Sequence, residues 1–233
     1  DRGLRFEAGE GPILNPLDRA SDLEAVSLSK VMQRVSPVME TVERLKAALP
    51  EGFPLIGFAG SPWTVAVYAI EGRGGTDKKN PKLWAYTRPD DLKAVLDYLV
   101  VVTTEYLKTQ VEAGADALML FDSWAENLPD HVFDWLVIEP TRKLVENLRS
   151  AGVTVPIIGF PRGAGAKLAD YVAQTGVNAV GLDTGQVPSF VNTSLPKGFP
   201  VQGHLDPLSV IAGGKQMLDR ADQIIEAYRA DGR

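Results

Sequence analysis

Residues 89–122 read PDDLKAVLDYLVVVTTEYLKTQVEAGADALMLFD, and this stretch decides the fold class. Residues 89–113 repeat apolar side chains at the three- and four-residue spacing of an amphipathic helix. Gly114 follows, at the place where a helix commonly ends, and residues 115–122 form a short apolar run. Such a run is typical of a strand buried on both faces, so the stretch predicts one helix-to-strand unit of a parallel α/β fold.

The same order of helix, glycine and apolar run recurs at Gly152 and Gly176. Apolar runs predict four further strands, at residues 53–60, 155–160, 177–183 and 199–204. Helical periodicity predicts further helices at residues 129–150, 164–175 and 216–229. Pro140 lies inside the first of these, which predicts either a kink or two helices with the proline opening the second.

The choice of fold lies between a doubly wound sheet and a barrel. No glycine-rich phosphate fingerprint follows any predicted strand, and residues 72–75 (GRGG) follow a helix instead. We therefore predict a (β/α)8 TIM barrel that is incomplete in this chain, because five strands do not close it. Residues 1–50 are expected to add one βα unit, with a strand at 4–7 and a helix at 28–49 that Pro37 could break.

We expect residues 1–233 to be a single domain that forms part of one barrel. The chain carries 45% hydrophobic and 23% charged residues, with a net charge of −6 and a pI near 5.0. Its Lys and Arg residues are scattered, which argues against nucleic-acid binding. No apolar run has the length of a membrane span, and the N-terminus has no signal-peptide pattern. Without cysteine there is no disulfide or thiolate site, and we expect a cytoplasmic protein.

In a TIM barrel, function gathers at the carboxyl ends of the strands. Polar residues follow the predicted strands within residues 60–63, 122–124, 161–163, 183–184 and 204–207. Capping of the following helix is a sufficient explanation for Asp183 and Asp206. Such capping could also occupy Ser123, and Phe121 and Trp63 are expected to be packing residues.

Four stretches resemble one known family, and the likeness is collinear across essentially the whole chain. Residues 57–72 (GFAGSPWTVAVYAIEG) are similar to the GFAGAPWTLxTYxxEG block of uroporphyrinogen decarboxylases. Residues 120–125 (LFDSWA) and 202–207 (QGHLDP) resemble their LFDSWAG and QGNLDP blocks, and residues 4–12 resemble the stretch after an early strand. The first block is long and specific, whereas the others are short and gain weight from their order.

The resemblance implies decarboxylation of the four acetate side chains of uroporphyrinogen to give coproporphyrinogen, with no metal and no cofactor. It implies that Tyr68 and Ser123 are catalytic residues that also bind the tetrapyrrole substrate, and that Phe121 lies against it. Their hydroxyl groups can donate hydrogen bonds to carboxylates. It also implies a homodimer. His204 departs from the Asn that is usual in the family, and His131 is expected at the surface.

The family's arginine motif and its strand-end Asp are expected before Asp1, and its C-terminal histidine motif after Arg233. We therefore expect the 233-residue chain alone to have little or no activity. One alternative is a zinc-dependent methyltransferase of the same superfamily, although the His-x-Cys motif that those proteins carry is missing after residues 157–161. Another is a non-catalytic tetrapyrrole-binding protein.

Overall fold

The computed structural model of the chain describes residues 3–7, 11–23, 26–74 and 76–233. Residues 8–10, within the stretch 4–12 compared above, lie outside the described residues, as does Gly75 of the GRGG sequence.

The N-terminal segment does not form the expected βα unit. Strand β1 (Arg5–Glu7) pairs in antiparallel fashion with β2 (Gly11–Ile13), so the prediction that it joins the parallel sheet is wrong. A three-residue strand carries too little pattern to specify the direction of its partner. Helix α1 (Leu28–Ala48) begins at Ser27, whose hydroxyl accepts the Lys30 amide, and it runs through Pro37 without ending.

The central sheet consists of five parallel strands, and each lies beside its neighbour in the sequence. The strands are β3 (Ile56–Gly60), β4 (Ala117–Asp122), β5 (Ile157–Pro161), β6 (Ala179–Leu182) and β7 (Val201–Gly203). All five predicted strands are thereby confirmed, each shortened at its amino end. A doubly wound sheet reverses its strand order at a switch point, whereas consecutive order is that of a barrel wall.

Helices and short turns connect the strands. They are α2 (Pro62–Glu71), α3 (Lys79–Thr87), α4 (Pro89–Glu112), α5 (Asp130–Phe133), α6 (Glu139–Ser150), α7 (Leu168–Thr175), α8 (Pro188–Ser194), α9 (Pro207–Ala212) and α10 (Gly214–Arg229). Between α5 and α6, residues Asp134–Ile138 form a π-helical turn just before Pro140, so the helix is altered rather than broken there. No helix in the described part of the chain is long and apolar enough to cross a membrane.

The glycines that predicted the helix-to-strand turns adopt the backbone those turns need. Gly114, Gly152 and Gly176 have φ angles of 111°, 85° and 74°, in the region that disfavours other residues. Each follows a helix and precedes a strand of the sheet. The recurring sequence pattern is thus a recurring backbone turn.

The two faces of the sheet differ. Along β4 the side chains alternate between buried and half-buried, with Leu118, Leu120 and Asp122 on the buried face, packed under the helices. On the opposite face Phe58 is 60% exposed, because no described helix covers it. At the β3 edge, the buried Gln110 side chain donates to the Phe58 carbonyl and accepts its amide, both at 3.0 Å. At this point the backbone N–H and C=O of the edge strand are therefore hydrogen-bonded to a side chain.

Candidate active site

The carboxyl ends of the strands meet at one edge of the sheet, and the backbone bonding continues one residue beyond them. The amide of Ser61 donates to the Phe121 carbonyl, and that of Arg162 donates to the Asp122 carbonyl. The amide of His204 donates to the Leu182 carbonyl in the same way. The polar residues that follow the strands are therefore held in register beside one another.

Three phenylalanines form an aromatic row on the face that no described helix covers. The Phe121 ring lies 5.8 Å from Phe58 and 6.0 Å from Phe160, centroid to centroid, in edge-to-face geometry at both contacts. Phe121 is half-buried. The row gives the edge an apolar surface against which a planar or bowl-shaped ring system could pack.

Tyr68 reaches the same edge from α2. Its ring lies 5.8 Å from that of Trp124, and 38% of the residue is exposed. The Lys78 ammonium lies 3.8 Å above the Trp124 ring and 3.3 Å from the Glu126 carboxylate. Tyr68 therefore lies beside a cluster formed by the Trp124 ring and the ion pair of Lys78 and Glu126.

Ser123 directly follows β4 and is half-buried. It does not cap a helix, because α5 begins seven residues later with Pro129 at its cap. The capping interpretation of Ser123 is therefore wrong. Its hydroxyl has no hydrogen-bond partner in the described part of the chain.

Asp122 is buried beneath the edge, on the helix side of the sheet. Oδ1 accepts a 2.6 Å hydrogen bond from the Thr64 hydroxyl, which in turn accepts the Trp124 amide at 3.2 Å. Oδ2 has no partner among the described residues. Burial raises the pKa of the Asp122 carboxyl from 3.8 to about 7, and the hydrogen bonds from Thr64 only partly oppose this.

Other buried hydroxyls in the described residues also lack a partner, namely those of Ser61, Thr141 and Tyr171. Burial raises the pKa of the Tyr171 phenol well above its usual value, and the charge of Asp122 raises it further. Trp63 is fully buried, and its indole N–H donates to the Trp124 carbonyl at 2.8 Å, which confirms it as a packing residue.

His204 connects the end of β7 to α10. Its Nε2 lies 2.8 Å from the Gln186 carbonyl, which can only accept, and its Nδ1 lies 2.7 Å from the Tyr228 hydroxyl. Nε2 therefore carries a proton and donates it to that carbonyl, and both ring nitrogens are occupied. His204 also has a φ of 78°, a conformation that Asn adopts more readily than most residues.

The two strand-end aspartates differ in role. Asp206 caps α9 by accepting the Leu208 amide, as predicted. Asp183 caps no helix, so the prediction for it is wrong: its two oxygens accept the amides of Gly163 and Gly185, each at 2.8 Å. It ties the turn after β5 to the turn after β6.

The structure thus brings Tyr68, Ser123 and Phe121 to one edge of the sheet. The sequence pattern predicts no functional role for Thr64 or Lys78. Neither residue belongs to a motif with a recognisable spacing, and a Lys among the other charged residues around position 78 is expected to be solvated. His131 is exposed, as predicted. Within the described residues, no group of three or more His, Asp or Glu side chains is arranged to hold a metal ion.

A consecutively ordered parallel sheet, with its polar and aromatic residues gathered at the carboxyl edge, defines this chain as part of a TIM-barrel α/β protein. The sequence model of the uroporphyrinogen decarboxylase (URO-D) family matches residues 2–233. The chain belongs to the uroporphyrinogen decarboxylase family.

Relatives of known name support the same family. The chain is 62% identical over 226 residues to a protein of Hyphomonas neptunium and 47% identical over 224 residues to one of Erythrobacter litoralis, both named uroporphyrinogen decarboxylase. These alignments cover 97% and 96% of this chain but 66% and 65% of the relatives. The chain therefore spans just under two thirds of their length.

A solved structure confirms the fold. A methyltransferase from Methanosarcina mazei superposes on 99% of this chain and 67% of its own, with a TM-score of 0.71. The two sequences are 16% identical, so the likeness concerns the fold alone.

Proposed function

We propose that the protein containing this chain decarboxylates the four acetate side chains of uroporphyrinogen, giving coproporphyrinogen in porphyrin and haem biosynthesis. The observation that carries the proposal is the placement of Tyr68, Ser123 and Phe121 around one apolar strand edge. The named relatives, the first of them 62% identical, support it.

The aromatic row would receive one face of the macrocycle, with Phe121 at its centre. The Tyr68 hydroxyl would donate a hydrogen bond to the acetate carboxylate and orient it for loss of CO₂, and the Ser123 hydroxyl would donate one to a carboxylate of the substrate. In that step the bond between the acetate methylene and its carboxylate breaks, and the electron pair passes into a protonated pyrrole of the substrate. A proton is then added to the methylene carbon, which becomes a methyl group, and loss of the ring proton restores the neutral pyrrole.

The chemistry requires no metal or cofactor, because the substrate's own pyrrole accepts the electrons. The proposal includes a homodimer in the cytoplasm, as the family resemblance implies. Light scattering on the purified complete protein would measure its oligomeric state.

The test uses the complete gene product, incubated with uroporphyrinogen under anaerobic conditions because porphyrinogens oxidise in air. Chromatography would resolve the hepta- to tetracarboxylate products. We expect Tyr68→Phe and Ser123→Ala to lower kcat/KM by about 10- to 100-fold, as the loss of one hydrogen bond to a charged group does. Tyr86→Phe is the matched control, since Tyr86 is 58% exposed on α3 and contacts His131 instead.

Product formation that falls in Tyr68→Phe and Ser123→Ala but not in Tyr86→Phe would support both the reaction and the assigned roles. Tight binding of uroporphyrinogen without product would instead indicate a tetrapyrrole-binding protein. Neither product nor binding would mean that only the fold is shared.

A further inference from the structure

Two neighbouring turns present Ser123 and Arg162 at equivalent positions. Asp122 and Pro161 are register partners on β4 and β5. Each begins a four-residue turn, since the Asp122 carbonyl accepts the Ala125 amide and the Pro161 carbonyl accepts the Ala164 amide. Ser123 and Arg162 are therefore the first central residues of adjacent turns, on strands about 4.8 Å apart.

The alternation of the two strands places both residues beside the aromatic row. Phe121 and Phe160 are register partners on the face that no described helix covers, and Ser123 and Arg162 each follow two residues later. A period of two returns side chains to the same face. Continued by one residue, the register places Ser123 and Arg162 beside each other at the border of the aromatic row.

The Arg162 backbone is fixed on both sides. Its amide donates to the Asp122 carbonyl at 3.1 Å, and the next amide, of Gly163, donates to Asp183 at 2.8 Å. The turn is thus attached to both β4 and β6 while the arginine side chain remains exposed. Such an attachment lowers the entropy lost when a ligand is bound.

The guanidinium has no protein partner among the described residues, whereas the charged groups around it do. Both Asp183 oxygens accept backbone amides, and Lys78 is paired with Glu126. Asp122 lies on the opposite face, bonded to Thr64. Arg162 is therefore available to an external anion, and a guanidinium binds a carboxylate with two parallel hydrogen bonds.

We propose that Ser123 and Arg162 together form a binding site for one carboxylate of the tetrapyrrole, with Arg162 as a substrate-binding residue. The inference rests on the proposed function and names a contact within the same site. The macrocycle lies on the aromatic row, and one side-chain carboxylate at its rim receives the guanidinium and the serine hydroxyl.

The experiment compares Arg162→Gln and Arg162→Lys in the complete protein, with Arg142→Gln as the matched control. Arg142 lies on α6 in the helical layer and pairs with Glu146. We expect the KM for uroporphyrinogen to rise about tenfold in Arg162→Gln and less in Arg162→Lys, which keeps the charge but loses the fork. The melting temperature should not change, because the side chain is exposed.

Binding of coproporphyrinogen, measured anaerobically by calorimetry, identifies the carboxylate. A weaker Kd in Arg162→Gln would assign the site to a propionate; an unchanged Kd with a raised KM would assign it to an acetate.

An active wild-type protein in which Arg162→Gln changes neither value overturns the inference and leaves the proposed function intact. If the wild-type protein shows no turnover, the proposed function fails. Calorimetry with uroporphyrinogen then decides the site, and equal Kd values for wild type and Arg162→Gln would reject it.

Discussion

The Thr64 hydroxyl donates a 2.6 Å hydrogen bond to the buried carboxyl of Asp122 and accepts the Trp124 amide, so one side chain connects α2, β4 and the turn after β4. That turn contains both Ser123 and Trp124, whose ring lies beside Tyr68. The placement of two proposed substrate-binding hydroxyls thus depends on a residue that lies behind them.

Replacing Thr64 with Val should lower the free energy of unfolding by about 1–3 kcal/mol, because it leaves the Asp122 carboxyl and the Trp124 amide unpaired in a buried place. Thr64→Ser keeps the hydroxyl and should cost about 1 kcal/mol or less. Urea denaturation of the complete protein measures both variants. Equal losses in Val and Ser would show that the methyl group matters and the hydrogen bonds do not.

The pH dependence of stability should report the ionisation of Asp122. The pKa of this carboxyl rises from 3.8 to about 7 on folding, so between these values the folded protein holds a proton that the unfolded chain has lost. Its contribution to stability therefore falls as the pH rises through this window and stays level above it. Relative to Asp122→Asn, the wild-type protein should lose about 3 kcal/mol between pH 5 and pH 8.

Unfolding free energies of wild type and Asp122→Asn, measured side by side across that range, test this expectation. Groups that titrate elsewhere contribute equally to both proteins and cancel in the difference. Parallel curves would mean that Asp122 ionises at the same pH in the folded and unfolded chains.

Gly159 should not tolerate alanine, although its backbone would allow one. A Cβ at this position would lie 2.5 Å from the Tyr171 hydroxyl oxygen and 2.7 Å from its ring, and the tyrosine is fully buried. We expect Gly159→Ala to cost about 1–3 kcal/mol or more, measured as a shift of the urea midpoint. Gly74→Ala is the control, because its nearest neighbour would be 3.8 Å away and it should be neutral or slightly stabilising. A neutral Gly159→Ala would show that the Tyr171 ring can move.

The sequence predicted the parallel strands because strands buried on both faces are continuous apolar runs, and because glycines such as Gly114 mark the turns before them. The three-residue strand β1 is too short for its pattern to specify an antiparallel partner. For the site, the alternation Leu118, Leu120, Asp122 already places the carboxyl on the helix side. The hydrogen bond between Asp122 and Thr64 joins residues 58 positions apart, and a local periodicity in the sequence cannot predict such a long-range contact. The roles of Tyr68, Ser123 and Phe121 stay predictions, as does the single domain.

The pairing of His204 with Tyr228 has a consequence for how sequences in this family can diverge. The imidazole at position 204 uses a hydroxyl 24 residues away to occupy its second nitrogen. In this chain, a drift of position 228 to Phe would leave a buried ring nitrogen of His204 unpaired. The two positions should therefore evolve together, and a lineage that acquired the histidine should have acquired or kept the tyrosine first.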